Sequence, residues 1–349
     1  MVDIVLGTFF GDEAKGQCVN NLCCKDSIVV RFSGANQVGH NVIHDNFKHC
    51  FRNFGSGTLK GVPTYWSEYC ICDLHTVLIE IAELQQIQIV PKIIFSPLCE
   101  LVTPFDVISQ WNNKENRSHG TVGTGFKSTL DRIKNGYSLT ILDATNLLVL
   151  KEKVYNIGRY YYKYDSEGIS VNINDWIVAV NRMANTFELR NLDILNNYEH
   201  LIFEGSQGIL LDQKHGVMPF CTPSNTTSKN AFEILKKIGR QNDCPIVDYV
   251  CRPYITRHGE GPLLTTTKIL DISDKNNLWN DFQRSFRACE FDINLLKHVL
   301  NIDYQYSENA THRLIFSHGK EVPNSLIQKI ISETNISLIQ KFEYEDWLD

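Results

Sequence analysis

Residues 2–6 form an apolar run, and Gly7-Thr8-Phe9-Phe10-Gly11-Asp12-Glu13-Ala14-Lys15-Gly16-Gln17 follows at once, leading into a helical stretch over 14–24. A buried strand that passes through a tight glycine-bearing turn straight into a helix constrains the fold more than any other feature. Such a unit belongs to a parallel α/β sheet. The same turn suits phosphate: glycines let the backbone approach an anion, N–H groups point at it, and the helix N-terminus adds a favourable dipole. Lys15 supplies a point charge. Asp12 and Glu13 are unusual there, because two carboxylates repel phosphate unless Mg²⁺ intervenes or one of them moves a proton. The spacing departs from G-x-x-x-x-G-K-[ST], so on this stretch alone a solvated strand-to-helix turn is the competing reading.

Further along, residues 27–32, 92–96, 200–204, 247–256 and 313–317 read as strands, and 139–142 as a short one. Residues 74–86 place Leu74, Val77, Leu78, Ile81 and Leu84 at helical spacing. Residues 106–111, 143–153 and 173–189 also read as helices, and a last helix starts at Asn324. The alternation predicts an α/β fold with a central, mostly parallel sheet flanked by helices, and a phosphate-binding loop after the first strand. Glycine-rich polar loops follow several strands, at 33–41, 118–127, 205–208 and 257–261, and ligands of open α/β sheets bind at strand carboxyl ends. With no linker or repeat, residues 1–349 read as a single domain.

The net charge of −6, without a basic run, argues against a nucleic-acid surface. No apolar run reaches the roughly 18 residues of a membrane span, and no basic segment precedes the first strand as a signal peptide would require. The 11 cysteines are scattered and show no zinc-ligand spacing. They read as buried free thiols of a cytoplasmic protein.

Taken together, the loops resemble adenylosuccinate synthetase. Gly11-Asp12-Glu13-Ala14-Lys15-Gly16 resembles the family's GDEGKG, Val38-Gly39-His40 its N-A-G-H, and Gly120-Thr121-Val122-Gly123-Thr124-Gly125 its G-T-T-G-R-G. Phe203-Glu204-Gly205-Ser206-Gln207-Gly208-Ile209-Leu210-Leu211-Asp212 is the longest match. It is followed by Thr222-Pro223-Ser224-Asn225-Thr226-Thr227, and Thr256-Arg257-His258-Gly259-Glu260-Gly261-Pro262 is similar to S-T-R-V-G-A-G-P. The shared order runs over residues 1 to 303. It implies a ligase that joins L-aspartate to C6 of a 6-oxopurine nucleoside monophosphate, with hydrolysis of GTP or ATP, through a 6-phosphoryl intermediate.

The resemblance implies site residues as well. Asp12 is the expected general base at N1, Gln207 the donor to the 6-oxyanion, and His40 the acid and γ-phosphate partner. Asp12 and the Gly39 carbonyl would hold Mg²⁺. Gly11, Glu13, Ala14, Lys15 and Gly16 would cradle the triphosphate. Asn301 and Asp303, in Leu300-Asn301-Ile302-Asp303, would meet its base as T-K-L-D does. The monophosphate would contact Gln37, Thr121, Thr222 and Arg257, with Arg132 or Lys134 contributed across a homodimer interface. Arg284 and Arg287 would clamp aspartate's carboxylates.

The family includes a viral branch that makes a 2-aminoadenine precursor from dGMP instead of IMP. The compact length, the thinned arginines around Arg284 and the missing base-covering lysine lean towards that branch, which would place the enzyme in a host cytoplasm. Asp12 favours IMP, since that branch has a small residue there. An inactive nucleotide-binding homologue is disfavoured because Asp12, Lys15, His40 and Gln207 all remain.

Overall fold

The computed structural model describes residues 1–112, 123–164, 172–272 and 286–343. In chain order the strands are β1 (Val2–Gly7), β2 (Ser27–Arg31), β3 (His40–His44), β4 (Phe47–Phe51), β5 (Thr64–Trp66), β6 (Ile71–Cys72), β7 (Ile93–Phe95), β8 (Glu100–Leu101), β9 (Glu188–Leu189), β10 (His200–Gly208), β11 (Ile246–Cys251), β12 (Tyr254–His258), β13 (Ile269–Leu270), β14 (Phe286–Glu290), β15 (Thr311–Phe316) and β16 (Leu338–Lys341). Nine of them make one sheet in the order β16-β15-β11-β1-β10-β2-β5-β7-β9. Every pairing in it is parallel.

A sheet covered on both faces needs apolar side chains on both. In β1, Ile4 and Leu6 join one core with Phe203 and Tyr249. Val5 points into another with Val29, Ile202 and Val250, against Cys18 and Val19 of helix α1 (Lys15–Leu22). Helix α2 (Leu74–Gln86) packs its Leu74, Val77 and Leu84 into a further core. Its span matches the one read from helical spacing.

From β1 the chain moves outward through β2, β5, β7 and β9, then returns to insert β10 beside β1. It continues on the other side with β11, β15 and β16. The strand order therefore reverses around β1 and β10, which is where an open parallel sheet leaves a crevice beyond the strands' carboxyl ends. The antiparallel sheet β12-β14-β13 and the hairpin β3-β4 stand outside the main sheet.

Some expectations need correcting. Residues 139–142 are not a strand: Thr140 and Asp143 form a reciprocal capping box that starts the helix Ile141–Thr145. Leu300-Asn301-Ile302-Asp303 lies in the last turns of the helix Ile293–Tyr304. Seven cysteines are buried, but Cys24 and Cys244 are exposed. No helix among the described residues is long and apolar enough to cross a membrane.

Candidate active site

Gly7 and Gly208 close β1 and β10 opposite one another. They are glycines because the approach is tight: a Cβ on Gly208 would lie 2.3 Å from the Phe9 carbonyl oxygen, and one on Gly7 2.3 Å from Glu13 Oε2. The loop that leaves β1 turns back over this seam through Gly11, Asp12 and Ala14, at φ 99°, 58° and 66°. Asp tolerates the left-handed region, whereas Ala14 costs roughly 1–2 kcal/mol there. Neighbouring strands brace the loop. Arg252 Nε donates to the Asp12 carbonyl at 2.6 Å and Thr256 Oγ1 to the Gly11 carbonyl at 3.2 Å.

Glu13 and Lys15 are both buried. Glu13 Oε1 accepts from the Phe9 N–H at 2.7 Å, and Oε2 lies 3.8 Å from Lys15 Nζ. Burial pushes the Glu13 pKa up, against the pull of Lys15. Glu13 is thus spent on shaping the loop and holding Lys15. It remains part of the cleft lining.

His40, at the start of β3, is buried, with Nδ1 2.7 Å from Glu204 Oε1. Glu204 is fully buried in β10 and also accepts from the Ser56 N–H at 3.1 Å and from the Ser56 hydroxyl. Burial alone would raise the Glu204 pKa; His40, Arg31 and Ser56 outweigh it and hold it below the usual range. The carboxylate therefore fixes the His40 proton on Nδ1. The opposite nitrogen, Nε2, is buried with no partner among the described residues, on a residue that lines the cleft. Burial lowers the His40 pKa despite Glu204. Gly16 owes its identity to this packing, since a Cβ there would lie 2.8 Å from His40 Cβ.

One cleft of about 890 Å³ gathers Asp12, Lys15, Gln37, Gly39, His40, Gln207 and Thr222 on loops that follow β1, β2 and β10. Asp12 is half-buried and the Gly39 backbone is exposed. Among the described residues no group of three or more His, Cys, Asp or Glu could cage a metal. One carboxylate and one carbonyl, both hard oxygens, fit Mg²⁺, which keeps waters and substrate oxygens as its other ligands. Glu13, Ala14 and Gly16 line the same cleft.

Several expected residues are engaged elsewhere in the fold or stand outside the cleft. Asp303 is fully buried and accepts from the Ser228 N–H at 2.7 Å, Ser228 Oγ at 2.9 Å and Tyr249 OH at 2.9 Å, so it cannot read a base. Asn301 is exposed on the same helix, away from the cleft lining. Arg132 is fully buried, paired with Asp106 at 2.8 Å and donating to the carbonyls of Tyr137 and Leu101, so it cannot reach across an interface. Lys134, two residues on, is exposed and outside the cleft. Arg257 lines the cleft but donates to the carbonyls of Phe220, Glu260 and Pro262, with its guanidinium 4.4 Å from the Phe10 ring centroid. Arg287 pairs opposite it, and its Nη2 donates to the Gly259 and Gly261 carbonyls. These two arginines hold the 259–262 turn. Thr121 and Arg284 lie outside the described residues.

Sequence reading gave no role to Arg252 or Glu204, nor to Thr124 and Lys127, which line the cleft. Position at the carboxyl end of a central parallel strand is the signal that finds the first two.

Three comparisons bear on this arrangement. The family profile described as adenylosuccinate synthetase matches residues 4–308. The chain is 29% identical to the adenylosuccinate synthetase of Haemophilus influenzae (strain PittGG) over 326 residues, covering 86% of this chain and 74% of that one. It is 29% identical to that of Shewanella loihica over 286 residues, covering 75% and 64%. Among solved structures, fully ligated adenylosuccinate synthetase from Plasmodium falciparum superposes with a TM-score of 0.76 at 18% identity, covering 90% of this chain and 76% of that one. The succinoaminodeoxyadenylate synthetase of cyanophage S-2L, bound to dGMP and dATP, gives 0.67 at 12%, covering 97% and 91%. At these identities the structural likeness shows the fold alone.

Proposed function

The chain belongs to the adenylosuccinate synthetase family and is a carbon–nitrogen ligase of that type, and we propose that its cleft joins L-aspartate to C6 of a guanine nucleoside monophosphate, (d)GMP, at the expense of GTP or ATP. The observation that carries the chemistry is the gathering of the Asp12 carboxylate, the Gln207 amide and His40 around the Gly7–Gly208 seam.

A 6-oxopurine is a poor electrophile until its oxygen becomes a leaving group. Asp12 takes the N1 proton while the γ-phosphoryl group moves to O6, and the Gln207 amide donates to the developing oxyanion. Glu204 holds His40 with Nε2 towards the transferred phosphate. Burial favours the neutral imidazole, and a phosphate beside Nε2 favours the protonated one. Lys15 leaves Glu13 for the triphosphate, and Thr222 contacts the monophosphate. Asp12 and the Gly39 carbonyl would hold Mg²⁺, which supplies charge neutralisation at the phosphates. Aspartate, its carboxylates held by Arg284, then displaces phosphate from C6. A second copy of the chain contributes Lys134 to the monophosphate pocket.

Two buried acceptors support guanine. Asn36 Oδ1 and Gln37 Oε1, on residues that line the cleft, have no partner among the described residues, while Asn36 Nδ2 is anchored on Thr76 Oγ1 at 3.1 Å. A guanine 2-amino group brings donors that hypoxanthine lacks. IMP is the second reading, favoured by the carboxylate at Asp12 and by the names of the curated relatives. The protein, aspartate and Mg²⁺ are incubated with IMP, dIMP, GMP or dGMP and either triphosphate, and products are weighed by mass spectrometry. A succino-product from dGMP or GMP is expected. Product from IMP or dIMP alone would move the assignment to the second reading.

A further inference from the structure

Buried groups at the amino ends of β1, β2 and β10, opposite the cleft, surround one exposed thiol. Cys24 lies two residues past α1, in the turn before β2. Its Sγ is 3.2 Å from Ser27 Oγ and 3.9 Å from His200 Nδ1. His200 Nε2 is 2.6 Å from Asp3 Oδ2. Asp3 Oδ1 accepts from Arg313 Nη2 at 3.0 Å, and Arg313 is held in turn by Asp248. Asp3, Ser27 and His200 are buried. The ligase chemistry uses none of them.

The arrangement has a direction. With the Nε2 proton of His200 held on Asp3, Nδ1 of the neutral ring is an acceptor that faces Ser27 Oγ at 3.3 Å and the thiol at 3.9 Å. A nucleophile beside a base that a third group orients is the general form of an activated thiol. Burial alone would lower the His200 pKa; the bonds to Asp3 and Cys24 outweigh it and raise it. Ser27 and His200 in turn lower that of Cys24. The charged groups around His200 are Asp3 from β1 and, behind it, Arg313 from β15 and Asp248 from β11; Lys25 and Asp26 flank the thiol in its own turn. The neighbouring Cys23 is buried, and burial drives its pKa far up, so it does not compete. Cys244, the other exposed cysteine, has only a 3.7 Å contact to the Asn242 carbonyl among the described residues.

We propose that Cys24 is a covalent modification site whose thiolate, formed on the His200–Asp3 pair, exchanges with small soluble disulfides. His200 takes the thiol proton, and the thiolate attacks one sulfur of the disulfide. A new S–S bond joins Cys24 to that half as the old S–S bond breaks. The electron pair leaves with the other half, which takes the proton back from His200 and departs as a thiol. Cys24 is oxidised by as much as the departing sulfur is reduced, so no further oxidant enters.

The test uses the full chain and glutathione disulfide, with peptide mapping to follow Cys24 and Cys244 in the same tube. Each unit of thiol pKa is worth up to about tenfold in thiolate near neutral pH. Cys24 should form the mixed disulfide about 3-fold faster than Cys244 at pH 7, because the gain in thiolate is partly offset by its weaker nucleophilicity, with its pH–rate midpoint below that of Cys244. His200→Gln and Ser27→Ala should each lower the Cys24 rate part of the way towards that of Cys244, leaving Cys244 unchanged. Equal wild-type rates with coincident midpoints would overturn the proposal without recourse to any variant. So would a folded His200→Gln protein with an unchanged ratio.

Discussion

Glu204 decides which nitrogen of His40 meets the cleft. Its carboxylate accepts from the Nδ1–H, 2.7 Å between heavy atoms, so Nε2 is the atom left to act. Glu204→Gln keeps the shape and removes that preference. Turnover should fall about 10²-fold, with the nucleotide KM within a few-fold of wild type. An unchanged kcat would show that the orientation of His40 is immaterial. The same residue carries a stability prediction. Arg31 lies beside Glu204 in strand register and is itself fully buried, so loss of the negative charge removes a favourable field on that cation together with the charged character of the His40 and Ser56 bonds, at about 1–3 kcal/mol. His40, Arg31 and Ser56 depress the pKa of Glu204, so its contribution is complete above the ordinary value of 4.5 and is lost as pH falls through the lowered one. Denaturant titrations should therefore show a constant gap between wild type and Glu204→Gln above pH 4.5, narrowing below it. A gap that widens on acidification would contradict the pairing.

At the scale of elements, legibility followed the range of the forces involved. The turn from β1 to α1 and the whole of α2 were readable because strand burial and helical periodicity are local patterns. Asp12, Lys15, His40 and Gln207 could be named in advance because loops at strand ends carry their chemistry in sequence order. Leu300-Asn301-Ile302-Asp303 deceived because four letters matched a base-binding motif. The apolar positions Leu295, Leu296, Val299, Leu300 and Ile302 place it in a packed helix instead. The partners that consume Asp303, Ser228 and Tyr249, lie 75 and 54 residues away. Arg132 deceived in the same way, its partner Asp106 being 26 residues upstream. The Thr140–Asp143 capping box is legible by rule, and it prevails over the β-like run of letters at 139–142. Asp303→Asn separates the two roles. Four hydrogen bonds to a buried carboxylate, from the Ser228 N–H and Oγ, Tyr249 and Ser307, are disturbed, so stability should drop by about 2–3 kcal/mol, while the ratio of GTP to ATP use stays as in wild type. A changed ratio at unchanged stability would restore the base-reading role.

At the scale of the molecule, the order of the strands explains why residues so far apart in sequence share one cleft. β10 is inserted beside β1 only after the chain has built the other wing of the sheet. Gln207 therefore arrives at the phosphate loop from about two hundred residues downstream, and Arg252 braces that loop from the opposite flank. The seam between Gly7 and Gly208 admits both because neither strand carries a Cβ there. An oxygen activated at this seam must leave as phosphate if Asp12, Gln207 and the Lys15 loop act on it together. The most direct measurement labels the C6 oxygen of the purine monophosphate with ¹⁸O and weighs the inorganic phosphate released with aspartate present. One ¹⁸O per phosphate, in step with the succino-product, is the predicted result. Unlabelled phosphate, with the ¹⁸O in water or retained on the nucleotide, would contradict the 6-phosphoryl route.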